Sequence, residues 1–149
     1  MLGALAAYSV ARTLLAPDPP APVASPIVAD FPVPSDVRGL QGTSNLDAIS
    51  TRPDGTIVMN GWIFNEGAHR AGEAMYVDVD GTRRIAGHYH EARPDVKAAF
   101  ATLTSDAVGF HAVIRPGLLT TGEHRVRLGI LSGGERYESV RRFALQVGP

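Results

Sequence analysis

Between Thr56 and Val147 apolar and polar positions mostly alternate with a period of two, the repeat of a strand with one buried face. Thr56 to Phe64 (TIVMNGWIF) predicts a strand entered through the turn Arg52-Pro53-Asp54-Gly55. Ala74 to Val79 (AMYVDV) predicts a second, which runs through Asp80-Gly81 into a third over Thr82 to Tyr89. Asp-Gly between two such runs is a hairpin signal, because glycine accepts the positive φ of the tight turn. Val108 to Arg115 sets Val108, Phe110, Ala112 and Ile114 on one face. Glu123 to Leu131 sets His124, Val126, Leu128 and Ile130 on one face and Arg125 and Arg127 on the other. Gly133-Gly134 turns the chain into Glu135 to Val147, which closes with Phe143, Leu145 and Val147 on one face. A weaker strand pattern covers Ser44 to Ser50. Asp95 to Leu103 (DVKAAFATL) is the one helical-looking stretch, with Asp95 placed to cap it. Six or seven short strands with polar, glycine-rich turns predict an all-β fold, an antiparallel β-sandwich over residues 37–149. There is no βα alternation and no repeat of fixed period, so doubly wound sheets, solenoids and propellers are not expected.

Two upstream segments lack the alternation. Residues 1–16 (MLGALAAYSVARTLLA) are rich in Ala and Leu and predict an apolar helix. The run falls short of the ~20 apolar residues of a full span and carries Arg12. Three readings fit it: a short membrane anchor with Arg12 reaching the headgroups, a helix packed on a partner, or a signal peptide cleaved near Ala21 or Ala24. A signal peptide would have a basic n-region, and none precedes the apolar run, so retention of the segment is expected. Residues 17–36 (PDPPAPVASPIVADFPVPSD) hold seven of the eleven prolines, which excludes helix and central strand. An extended spacer of roughly 60 Å is the natural outcome at ~3.1 Å per residue. Ile27, Val28, Phe31 and Val33 are apolar for a free linker, and either dock on a partner or pack on the chain's own domain.

Composition narrows the functional classes. Hydrophobic residues form 44% of the 149, enough for a buried core, which excludes global disorder. The net charge of −1 argues against a broad nucleic-acid surface. With no cysteine, disulfides, thiolate metal sites and cysteine nucleophiles are all excluded.

The spaced set Gly61-Trp62, Val77-Asp78-Val79-Asp80-Gly81, Arg93-Pro94-Asp95-Val96, Gly109-Phe110 and Gly122-Glu123-His124 resembles a bacterial immunoglobulin-like β-sandwich module of membrane-associated and cell-envelope proteins. The likeness covers about residues 56 to 131. Ile63 stands where the module has a small residue, and Thr121 where it has proline. The shared motifs are turns and core positions. They imply an immunoglobulin-like architecture and an envelope setting, with no activity attached.

Candidate chemistry is sparse. His88 and His90, at i and i+2, would share a strand face and form a weak metal pair, against the alternative of a solvated strand end. No third ligand lies at a diagnostic spacing, and no cofactor is expected. Asp78-x-Asp80-Gly81 has a faint calcium-loop look, but Thr82-Arg83-Arg84 follows where oxygen ligands should continue, so a hairpin is expected. Trp62 is expected between the sheets. If exposed, it would stack on a sugar, with Tyr76, Tyr89 and Tyr137 completing a platform and Arg93 clamping a carboxylate or phosphate. Otherwise Arg93 pairs with a carboxylate of its own domain. Arg125, Arg127, Arg136, Arg141 and Arg142 form a basic set that is either balanced by Glu123, Glu135 and Glu138 or turned toward an acidic partner or lipid headgroups. There is no G-x-S-x-G elbow, no spaced carboxylate pair and no phosphate-binding glycine loop, so the chain is not expected to be an enzyme.

These expectations combine into a non-catalytic accessory or assembly subunit of a larger bacterial membrane complex, with its sandwich on the periplasmic or extracytoplasmic side. Its partner contacts would run through Leu5, Tyr8, Leu14, Leu15, Ile27, Val28, Phe31, Arg125 and Arg127, with lipid at the N-terminus and no nucleic acid. The alternative is a carbohydrate-binding module acting through Trp62, Tyr89 and Arg93.

Overall fold

The computed structural model describes residues 36–40 and 43–148. The apolar helix expected over 1–16 and the linker expected over 17–36 lie, Asp36 apart, outside the described residues.

Among the described residues, ten strands and one short helix follow in the order β1 (Val37–Leu40), β2 (Ser44–Thr51), β3 (Ile57–Ile63), β4 (Ala74–Val79), β5 (Arg83–Ala86), β6 (His88–Ala92), α1 (Pro94–Ala99), β7 (Ala107–Ile114), β8 (Gly122–Ser132), β9 (Glu135–Ser139) and β10 (Phe143–Val147). They form two sheets. One has the order β1-β9-β8-β4-β5, with β10 also on β8; the other runs β2-β3-β7-β6. Inward residues of both sheets meet in one core that includes Met59, Ile63, Met75, Val77, Ile85, Phe110, Leu128, Ile130 and Leu145. Each such side chain removed from water contributes ~1.5–3 kcal/mol, so the all-β sandwich follows from the period-two pattern.

The pairing is antiparallel except for β1, which lies parallel to β9 with Val37 beside Arg136 and Leu40 beside Ser139. Three local expectations are corrected. The strand expected over Thr82 to Tyr89 is two strands in different sheets, β5 and β6. The chain changes sheets at Gly87, whose N–H donates to Met75 O at 3.1 Å. A Cβ at Gly87 would lie 2.0 Å from Met75 Sδ, so glycine lets the backbone pass this close. The segment Glu135 to Val147 is likewise two strands. β9 pairs with the C-terminal part of β8 and β10 with its N-terminal part. Between them Ser139 Oγ accepts the Leu128 N–H at 3.2 Å and donates to Arg141 O at 2.9 Å, which fills the gap in the backbone ladder. Val108 leaves the face of Phe110, Ala112 and Ile114, because the β6–β7 register shifts on both sides of Glu91.

Val108 joins a second, smaller core with Phe64, Val96 and Leu103, against which Trp62, Ala71 and Phe100 pack. The helix α1 supplies Val96 to it. Pro94 sits in the first turn, where its missing N–H costs nothing. The cap position is Arg93, without a side-chain cap bond, rather than Asp95.

Candidate functional site

The outward face of the six-stranded sheet carries a buried polar network. On β4, the outward residues Tyr76 and Asp78 are as buried as the inward Met75, Val77 and Val79. The cause is Gly129, the register partner of Tyr76 on β8. A Cβ there would stand 2.2 Å from Tyr76 Cζ, so only glycine leaves room for the ring. The Tyr76 hydroxyl donates to Glu138 Oε2 at 2.7 Å and accepts from Arg136 Nε at 2.8 Å. Arg136 Nη2 holds the same Glu138 oxygen at 2.5 Å. Both residues project from one face of β9, two positions apart.

Charges of opposite sign continue across the sheet. Arg127 Nη1 lies 3.8 Å from Glu138 Oε1. Asp78 is the register partner of both Arg127 and Arg84. Its Oδ1 is 4.0 Å from Arg84 Nε, and its Oδ2 accepts the Gly81 N–H at 3.0 Å. Asp80 Oδ1 accepts the Arg125 N–H at 2.8 Å, and its Oδ2 meets His124 Nδ1 at 2.6 Å. The turn expected at Asp80-Gly81 is present, with both residues at positive φ (56° and 72°).

Burial and then the nearby Glu138 raise the Asp78 carboxyl above the usual range. Burial and the bond to Glu138 push the Tyr76 phenol well above its ordinary value. Both His124 ring nitrogens face acceptors, Thr120 O at 2.7 Å and Asp80. These favour the imidazolium and raise its pKa. The Arg125 N–H and then His124 lower Asp80.

Over this network opens a cavity of about 520 Å³, lined by Val37, Asp78, Asp80, Gly81, Arg125, Arg127, Arg136, Glu138 and Arg142. Four guanidinium groups face three carboxylates, a surplus of one positive charge. The carboxylates are engaged as described. Arg125 and Arg142 make no side-chain hydrogen bond or ion pair with the described residues. The arrangement can therefore offer planar donors to an external anion.

Of the residues expected at a site, Arg125 and Arg127 line this cavity. Arg141 does not: it lies over Phe143, 4.8 Å from the ring centroid, and Nη1 reaches Asn45 Oδ1 at 3.3 Å. Leu5, Tyr8, Leu14, Leu15, Ile27, Val28 and Phe31 lie outside the described residues. Trp62 is not between the sheets. It sits half-buried on the outer face of the four-stranded sheet, 6.0 Å from Phe64 and 5.4 Å from Phe100 between ring centroids. Tyr89 packs on the main core, its hydroxyl donating to Ile63 O at 2.5 Å and accepting from Gly72 N at 3.2 Å. Arg93 forks between Asp47, at 2.7 Å, and Asp95, at 2.9 and 2.7 Å. It thus ties the start of α1 to β2 within its own domain. That bond holds the Asp95 carboxyl at about 2.

His88 and His90 do not act as a pair. His90 is the extra residue of a bulge, at φ 72°, with Nε2 on Gly72 O at 2.8 Å and its ring stacked on Tyr89. His88 stacks on its cross-strand partner His111 at 4.5 Å, and His111 Nδ1 contacts Glu91 Oε2. No group of three or more His, Asp or Glu among the described residues is arranged to hold a metal ion. Among them, no helix is long and apolar enough to cross a membrane.

Sequence reasoning missed Tyr76 and Asp78 as part of the network, and saw Glu138 only as a balancing charge. The signal was present: Tyr-x-Asp inside an otherwise apolar run and Arg-x-Glu two residues apart each put polar groups on one strand face. Comparison of the chain with protein-family models, curated proteins and solved structures finds no match.

Proposed function

We propose that this chain is a non-catalytic accessory subunit of a bacterial membrane complex, built around an immunoglobulin-like module. Its contacts run through the N-terminal segment, the proline-rich linker and the outward face of the six-stranded sheet. The observation that carries this reading is the arginine-lined cavity on that face, where Arg125 and Arg142 are exposed and make no side-chain hydrogen bond or ion pair with the described residues. A sheet face meant only for solvent needs no buried Asp78, Glu138 and Tyr76, since buried ionic groups are weak contributors to stability.

Strand order supports the immunoglobulin-like part. Matching β2, β3, β7 and β6 to strands A, B, E and D, and β4, β8 and β9 to C, F and G, gives the two sheets of that fold, with β5 as the added C′. The parallel strand β1 is a departure from it. The extracytoplasmic setting and the lipid contact of residues 1–16 rest on the sequence resemblance and the apolar start. Trp62, packed on Phe64 and Phe100, does not favour the carbohydrate-binding alternative.

The test is gentle detergent extraction of the native membrane, then size-exclusion chromatography and mass spectrometry. The reading expects the chain in a large assembly with Met1 intact and partners at fixed stoichiometry. A lone, soluble chain trimmed near Ala21 or Ala24 would refute it.

A further inference from the structure

We infer that the cavity on the six-stranded sheet receives an acidic peptide segment of the partner, whose carboxylates pair with Arg125, Arg127 and Arg142. This inference rests on the docking role proposed above. The cavity, about 520 Å³, is in the size range of built ligand sites. Its floor is closed: Glu138 is held by Tyr76 and Arg136, Asp78 by Gly81 N–H, and Asp80 by His124 and the Arg125 N–H. Its rim is open. Arg125 and Arg142 are exposed, while Arg127 is partly buried and makes one long ion pair, Nη1 to Glu138 Oε1 at 3.8 Å, which leaves its other N–H groups for a second carboxylate. A guanidinium fork takes a carboxylate through two parallel bonds.

The choice between an acidic peptide and an anionic bilayer follows from the interleaved signs. Bilayer attraction is read from clusters of four to eight basic groups beside a membrane helix or on an amphipathic helix, and it follows the local net charge. Here three carboxylates sit among four arginines, and the whole chain has a net charge of −1. A long-range pull toward a lipid surface is largely cancelled. Contact pairing with single carboxylates at the rim is not, because it acts over a few ångströms. A doubly charged phosphate seated deep in the cavity would also face Asp78 and Glu138 directly.

The experiment uses the full chain in detergent and a fluorescent, N-acetylated hexaglutamate peptide, read by anisotropy at several salt concentrations. Saturable binding is expected. The double variant Arg125→Ser/Arg142→Ser should weaken it about tenfold or more. Arg52→Ser/Arg115→Ser, which removes the same charge from exposed positions outside the cavity, should leave it unchanged. Equal losses in both pairs, no saturable binding, or a preference for phosphatidylserine vesicles that the first pair abolishes would each overturn the inference. Co-extraction with the membrane assembly is scored separately. Peptide binding without an assembly keeps the cavity's role and refutes the subunit reading. An assembly unaffected by Arg125→Ser/Arg142→Ser, with no peptide binding, refutes the cavity's role alone.

Discussion

Removing a single oxygen tests the floor of the cavity. In Tyr76→Phe the ring and its packing across Gly129 remain, and only the hydroxyl is lost. That hydroxyl donates to Glu138 Oε2 at 2.7 Å and accepts from Arg136 Nε at 2.8 Å. Glu138 is 5% exposed, so water has little room to replace the donor. A hydrogen bond to a charged group is worth ~1.5–3 kcal/mol net. Arg136 Nη2 still holds the same oxygen, which places the expected loss near the lower part of that range, about 2 kcal/mol. For a domain of this size that corresponds to a fall in Tm of roughly 10 °C. Urea unfolding of the full chain, followed by circular dichroism, should show a lower midpoint at unchanged slope. Tyr137→Phe is the control. Its hydroxyl makes no hydrogen bond with the described residues, and the change should cost less than about 0.5 kcal/mol. A cycle with Glu138→Gln should give a coupling of about 1 kcal/mol or more. If Tyr76→Phe unfolds at the wild-type midpoint, or the coupling vanishes, the hydroxyl does not support Glu138.

Other perturbations follow from the same geometry. Gly129→Ala forces the Tyr76 ring off β8, since the new Cβ would meet its atoms at 2.2–2.6 Å; overpacking and the lost hydroxyl bonds together cost about 3 kcal/mol by urea unfolding. A change within 0.5 kcal/mol of wild type would rule out that contact. The folded-state pKa of His124 is raised, so its contribution is fully present below the unfolded value of 6.5 and is lost as pH rises through the folded value. The midpoint gap between wild type and His124→Gln should therefore narrow from pH 6 to pH 9, and a gap that widens would show the imidazole is held neutral. Asp95 titrates at about 2 because of its bonds to Arg93; in Arg93→Gln its carboxyl carbon resonance should titrate near 3.8, and an unmoved value would place the cause elsewhere.

β3, β8 and β10 are legible because each has one face against the core, and that face sets the period of two, whereas β1, with only Leu40 buried, carries no such pattern. The pattern reports faces, however, and not sheets. Ile85 and Tyr89 keep the alternation while the chain crosses at Gly87 from one sheet to the other, so β5 and β6 looked like one strand. The split of β9 from β10 was hidden for a similar reason, since both pair along one edge of β8. His88 and His90 showed the pattern's other limit. One extra residue in the ladder turned His90 toward Tyr89 and Gly72, and the expected pair came apart. Trp62 is expected in the inter-sheet core because the tryptophan of a β-sandwich most often packs there. Its own alternation with Ile63 placed it on the opposite face, where α1 and Phe100 meet it.

The candidate site was half legible for a different physical reason. Arg125 and Arg127 are outward positions on a strand whose inward positions are plainly apolar, so their shared face could be read directly. The floor beneath Arg127 could not, because its burial depends on Gly129 lying opposite Tyr76, a register fact with no local trace. This division has a functional consequence. Floor charges are locked by partners from three strands, so changing them alters stability. Rim charges have few partners among the described residues, so changing them should leave the fold intact and, under the proposed docking, alter what binds. In the proposed docking, stability and recognition fall on different residues of one sheet face. Under the proposed docking, a partner would gain or lose affinity through Arg125 and Arg142 without disturbing Tyr76, Arg136 and Glu138 underneath.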